Sequence, residues 1–233
     1  MPIRSVTAMD EAVLTVRREV IGMPDKKRIA LVTGASSGLG REFARLLARE
    51  VVDELWLVAR REERLRELAA EVALPCRVFA LDLTQESALE ALSAALSAEP
   101  VTVRWLVNAA GFGRIGMAAD IGAATTGRMI ALNCRAAAEV AARGITVTAI
   151  CPYWIRDTEF IHEAKQTDKA GLFRGFPLAT DQKTVARRSL WAAEHGFTVF
   201  TPDLVSTLHR IITSLLPHRL MIALSNLWRH LAG

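Results

Sequence analysis

The chain has 233 residues, 51% of them apolar, and a formal net charge of only +4. That length suits one domain with a substantial core, and so weak and diffuse a positive charge argues against a nucleic-acid partner. Three cysteines without CxxC spacing and five scattered histidines give neither a disulfide framework nor a metal site, and they point to reduced thiols in a cytoplasmic protein.

Residues 1–26 read as an N-terminal extension. Charges throughout Met1 to Lys27 leave no apolar run long enough for a secretory signal. Asp10 to Val20 has a mild helical pattern that Pro24 stops, which predicts a loosely attached surface helix or a frayed tail. The main domain is expected over 27–203.

It opens on the stretch around which the chain is organised. A short apolar strand, Arg28 to Thr33, runs into Gly34-Ala35-Ser36-Ser37-Gly38-Leu39-Gly40, and a helical pattern follows to about Glu50. A helix start presents unpaired N–H groups and partial positive charge, and glycines let the backbone approach a ligand closely. The pattern is GxxxGxG, not the GxGxxG of the general dinucleotide fingerprint, and a ligand-free strand-to-helix turn is the plainer alternative.

The second strand, Leu55 to Ala59, ends in Arg60-Arg61. About twenty residues after such glycines a carboxylate would bond the ribose 2′-hydroxyl of NAD. None stands here. Arg60 could instead hold a 2′-phosphate through bidentate bonds, so the site leans to NADP over NAD. In the competing reading, Arg60 and Arg61 belong to the charged face of the next helix, Glu62 to Val72, and pair with Glu63 and Glu67. The third strand, Arg77 to Leu81, ends at Asp82-Leu83; Asp82 could face the adenine or cap the helix starting near Gln85. The fourth, Val103 to Val107, ends in Asn108-Ala109-Ala110-Gly111, small residues that let backbone come close to a ligand.

These motifs, with Asn133 on a helical segment and the strand Ile145 to Ile150 before Cys151-Pro152, resemble the short-chain dehydrogenase/reductase family in content and in order. The resemblance covers residues 28 to about 200. It implies a Rossmann-like, doubly wound parallel α/β sheet of about six strands with helices on both faces. It also implies that Gly34, Ser36, Ser37, Gly38, Leu39 and Gly40 hold the pyrophosphate. Asp82 and Leu83 would meet the adenine, Asn108 to Gly111 would stabilise the strand beside the cofactor, and Asn133 would match the helix asparagine of the catalytic set. The implied reaction is hydride transfer between NADP(H) and a small ketone or alcohol.

The sequence departs from that family at one decisive place. The family uses a Ser and a Tyr-x-x-x-Lys motif between the Asn helix and the following strand. The only tyrosine of this chain, Tyr153, comes after that strand, and its i+4 residue is Asp157. Between Asn133 and Ile145 there is room for about three helical turns and nothing more. The resemblance therefore implies loss of a strand-and-helix unit, with one continuous helix from Thr126 to Arg143 stopped by Gly144 and the strand Ile145 to Ile150 closing up beside the fourth strand. Binding without turnover, as a pseudoenzyme, is the alternative to an active oxidoreductase.

Beyond Pro152 the family has a loop that clasps the nicotinamide carboxamide, for which Ile155 and Thr158 are the candidates. Tyr153 and Trp154 are read equally as packing or as pocket lining. Residues 157–179 would form a substrate-covering lobe, which Gly171, Gly175 and Pro177 make mobile. A helix capped by Thr180 or Asp181 runs to Glu194, and a last short strand covers Phe197 to Thr201. The tail, 204–233, is apolar and basic and is broken by Pro217. It predicts two amphipathic helices of the same domain over 204–231, with Leu220, Ile222, Leu224 and Leu227 on the buried stripe. Those helices would either touch a membrane surface peripherally or cover the pocket or a homo-oligomer interface; neither half is long enough to span a bilayer.

Overall fold

In the computed structural model the described residues are 13–17, 26–111, 146–152, 155–156, 158–159, 161–162, 166 and 179–215. The elements among them are β1 (Val13–Arg17), β2 (Lys27–Thr33), α1 (Gly38–Leu47), β3 (Glu54–Ala59), α2 (Glu62–Glu71), β4 (Cys76–Ala80), α3 (Glu86–Ala98), β5 (Val101–Asn108), β6 (Thr146–Ile150), α4 (Gln182–Glu194), β7 (Val199–Phe200) and α5 (Leu204–Leu215).

One sheet of seven strands holds the molecule together, in the order β4-β3-β2-β5-β1-β6-β7. β2 pairs in parallel with β3 and β5, β3 with β4, and β6 with β7. This is the expected α/β architecture, with one correction. β1 runs antiparallel to both β5 and β6, with Leu14 opposite Asn108 on one side and Ala149 on the other. The expected surface helix or frayed tail over Asp10 to Val20 is therefore a strand at Val13–Arg17, and the strand Thr146–Ile150 does not close up beside β5. The physical reason lies in the side chains. Val13, Thr15 and Val16 are β-branched and prefer extended backbone, and a run this short carries no reliable period. A gap between β5 and β6 also offers unpaired N–H and C=O groups on both sides, and a third strand satisfies them.

The two faces of the sheet carry separate cores because alternate residues point oppositely. Ala30, Val32, Leu55 and Leu57 pack with Leu39, Phe43 and Leu47 of α1, Leu65 and Leu68 of α2, and Val185, Ala186 and Leu190 of α4. Ile29, Leu31, Trp56 and Val58 face the other way, against Phe79 and the Leu92, Ala95 and Leu96 side of α3. A register shift in the β2–β5 ladder pairs Ile29 with Val103 but Ala30 with Trp105, so Arg104 is a bulge residue. The bulge turns Trp105 and Val107 to the α1 side and leaves Val103 and Leu106 on the α3 side.

α4 begins as expected: the Asp181 side chain accepts a hydrogen bond from the Thr184 N–H at 2.8 Å. It ends in a Schellman turn, with Gly196 at φ +73°, its N–H bonded to Ala193 O and the Phe197 N–H to Ala192 O. Asp203 starts α5 through the Ser206 N–H at 2.7 Å. Leu204, Leu208, Ile211, Ile212 and Leu215 form one stripe along α5, and all are exposed. The helix predicted over 126–143, the second tail helix with its stripe, and most of the lobe 157–179 lie outside the described residues. Among the described residues, no helix is long and apolar enough to cross a membrane and no group of side chains is arranged to hold a metal ion.

Candidate cofactor site

The turns after β2, β3, β4 and β5 all open at the carboxyl edge of the sheet. The chain leaves β2 for β3 on one side and returns to β5 on the other, which makes the β2/β5 boundary a topological switch point, where open α/β sheets bind ligands.

The glycine-rich turn is built from three different glycine requirements. Gly34 has φ +68°, and a Cβ there would lie 2.5 Å from Ala109 O. A Cβ on Gly40 would lie 2.4 Å from Gly34 O, so only glycine lets α1 start tight against the turn. Gly38 also has positive φ, +55°, but a Cβ on it would meet nothing within 4 Å. The first two positions serve the fold, whereas the third faces open space in front of a helix start. The first turn of α1 holds no acidic residue, and Ser37, at its N-cap, makes no side-chain cap hydrogen bond. Such a positive helix end with backbone within reach fits a phosphate.

Asn108 to Gly111 lock onto this turn. Thr33 Oγ1 donates to Asn108 Oδ1 at 2.9 Å and accepts from the Ala110 N–H at 3.1 Å. The small residues at 109 and 110 therefore admit the Gly34 turn, not only a ligand. Leu39 belongs to the core beneath. Asp82 Oδ1 accepts from the Thr84 N–H and hydroxyl, and these bonds, with the Arg60 charge behind them, hold its carboxyl below the usual carboxylate range. It shapes the turn before α3, whose N-cap is Gln85, while Leu83 packs on the α3-side core.

The two arginines after β3 part company. Arg60 is exposed, and its charge reaches Asp82. Arg61 is the N-cap of α2 and folds back over the glycine-rich turn. Its Nη2 donates to Ser36 Oγ at 3.1 Å, Ser37 Oγ at 3.0 Å and Glu159 Oε2 at 2.5 Å. Arg64 also pairs with Glu159. Partial burial opposes the charged form of Glu159, but hydrogen bonds from Arg61, Arg64 and Ser37 outweigh it and hold the carboxyl at about 2. The competing sequence reading placed Arg61 on a helix face with Glu63 and Glu67; its partner lies 98 residues away, and no local period could reveal it.

Ile155 is buried in the α1-side core and bridges to Thr180, and the Arg156 N–H donates to Thr180 O. Thr158 is buried, and its Oγ1 accepts from the Ile161 N–H. The backbone of Ile155 and Arg156 thus ties the segment after β6 to the start of α4, whereas the Thr158 hydroxyl bonds within its own segment. Asn133 and Tyr153 lie outside the described residues. Burial together with the Glu54 charge pushes the Cys76 thiol up to about 11, far from reactive.

Fold and turn geometry together define a Rossmann-like α/β protein with an anion-accepting turn at its switch point. Residues 28–139 match the short chain dehydrogenase family model, a little under half of the chain. An uncharacterized oxidoreductase of Staphylococcus epidermidis is 35% identical over 86 residues, 37% of this chain and 37% of that protein. Sulfoacetaldehyde reductase 2 of Chromohalobacter salexigens is 44% identical over 85 residues, 36% of this chain and 33% of that protein. A short-chain dehydrogenase from Sphingobium yanoikuyae in complex with NADPH has the same fold, with a TM-score of 0.64 and 22% identity over 82% of this chain and 97% of that one.

Proposed function

We propose that this chain is an NADP(H)-binding protein of the short-chain dehydrogenase/reductase type, in which the family's hydride transfer between nicotinamide and a ketone or alcohol is impaired. The observation that carries the cofactor reading is Arg61 laid over the Ser36 and Ser37 hydroxyls at the end of β3, a strand whose tip carries arginines and no carboxylate of its own. A guanidinium beside two hydroxyls suits a 2′-phosphate, with Arg60 close by at the strand tip. The Gly38 turn and the α1 start take the pyrophosphate, and the cofactor supplies the hydride.

Impairment follows from the residue inventory. Ketone reduction puts negative charge on the oxygen, which needs a preorganised donor. The one tyrosine is Tyr153, with Asp157 rather than lysine one helical turn on, and the segment that carries Ser and Tyr-x-x-x-Lys in the family has no counterpart between Asn133 and Ile145. Loss of general-acid help alone costs roughly 10²–10⁴-fold. Asn133 and Tyr153 remain the candidate groups at the reacting end.

Calorimetric titration with NADPH and NADH tests the binding half: NADPH binds tighter, and Arg61→Ala removes the difference. Equal affinities in the unaltered protein would overturn it. Single-turnover oxidation of bound NADPH with a reactive dicarbonyl tests the other half. The expected rate is no faster than that of free NADPH, whereas a rate of about 1 s⁻¹ or more that disappears in Tyr153→Phe would make Tyr153 a working acid. A peripheral membrane or self-association role for 204–231 draws on the exposed stripe of α5. Release from anionic vesicles by salt would favour the membrane, and a salt-independent dimer would favour self-association.

A further inference from the structure

The Glu159 carboxylate sits on the same Arg61 nitrogen that holds the Ser36 and Ser37 hydroxyls. It also pairs with Arg64, on the first turns of α2. Two guanidiniums and two hydroxyls thus converge on one anion, and the protein itself provides it. We propose that Glu159 is a resident substitute for a ligand phosphate, and that it sets how strongly the site prefers nucleotides carrying a 2′-phosphate. This inference rests on the nucleotide-binding reading above and adds a selectivity residue from outside the strand-end motif.

Glu159 is well placed for such competition. It follows Thr158, whose hydroxyl accepts from the Ile161 N–H, while Ile155 and Arg156 tie the segment to Thr180 at the start of α4. The carboxylate is therefore presented from a fixed base and is not a wandering surface charge. Its side chain and that of Arg61 still keep 36% and 41% of their exposure, so the pair opens to solvent and can exchange partners. A phosphate offers more acceptor oxygens and more charge than a carboxylate and takes the Arg61 fork and both hydroxyls. Once displaced, Glu159 faces a dianion nearby, and the repulsion counts against binding. A nucleotide with a free 2′-hydroxyl need not evict it, and Glu159 can then accept a hydrogen bond from that hydroxyl, the task a carboxylate at the strand tip performs for NAD. Glu159 therefore shifts selection away from the 2′-phosphate that Arg61 favours.

The test is calorimetric titration of the full chain with adenosine 2′,5′-bisphosphate and with 5′-AMP, in unaltered protein, Glu159→Gln and Glu159→Ala. An exposed ion pair is worth up to about fivefold in affinity, so both variants should bind the bisphosphate tighter by roughly two- to fivefold while 5′-AMP binds no tighter. Adding Arg61→Ala to Glu159→Gln should erase the gain. If 5′-AMP binds normally and the bisphosphate binds no tighter in either variant, Glu159 is only a structural pair and the proposal is overturned, with the nucleotide site intact. If neither nucleotide binds any of the proteins, the nucleotide-binding reading falls and this proposal falls with it.

Discussion

The half of the sheet from β4 to β5 and the half from β1 to β7 are assembled on different principles. In the first, β2, β3 and β4 are each followed by their own helix and β3 lies between its sequence neighbours, so the turns after these three strands each belong to one local unit. In the second, β6 reaches β5 only through β1, a five-residue strand drawn from near the start of the chain and laid in the opposite direction. The contrast explains why the glycine-rich turn draws its supports from the first half of the sheet, whereas the segment carrying Glu159 depends on pairings in the second.

The comparison breaks most visibly at β1. Thr15→Pro removes a ladder donor from a strand paired on both sides, at a cost of about 3 kcal/mol. For a chain of this size that lowers the melting temperature by roughly 6–12 °C. An unchanged melt would mean that β1 does not join the two halves.

Within the cradle, the glycines separate folding from binding. Gly34→Ala must adopt φ +68° and also meet Ala109 O at 2.5 Å, so the β2 and β5 turns shift apart and both stability and NADPH binding fall. Gly38→Ala meets no atom within 4 Å and suffers only the left-handed backbone, about 1–2 kcal/mol. Its NADPH affinity drops by roughly tenfold or more, because a Cβ stands where phosphate must approach backbone. Parallel losses in both variants would assign Gly38 to the fold and remove it from the site.

The smallest effect lies at the opposite edge. Asp53 accepts from the Arg28 side chain and N–H, which hold its carboxyl at about 2 instead of 3.8. A lowered carboxylate pKa adds stability that is present above the ordinary value and disappears as pH falls through the lowered one. Stability should decline between pH 3.8 and about 2, and Asp53→Asn should flatten that part of the curve. Glu159 titrates in an overlapping range, so the measurement belongs in the Glu159→Gln background. The pair is solvent-screened, and the change is a few tenths of a kcal/mol.

By itself, the sequence determined the local units: the apolar run before Gly34, the GxxxGxG turn, the helix that follows, Arg-Arg in place of a strand-tip carboxylate, and a helix cap at Thr180 or Asp181. Each depends on residues within one or two turns of one another, where period, glycine spacing and capping chemistry act directly. Only the tertiary structure decided that Val13–Arg17 is a strand, since its side chains suit a strand but only the unpaired edges of β5 and β6 provide its partners. It also decided that Arg61, not Arg60, lies on Ser36 and Ser37, and that Glu159 closes the cluster. A guanidinium takes whichever carboxylate the fold brings within about 3 Å, and that proximity is created by the sheet, not by the order of residues along the chain.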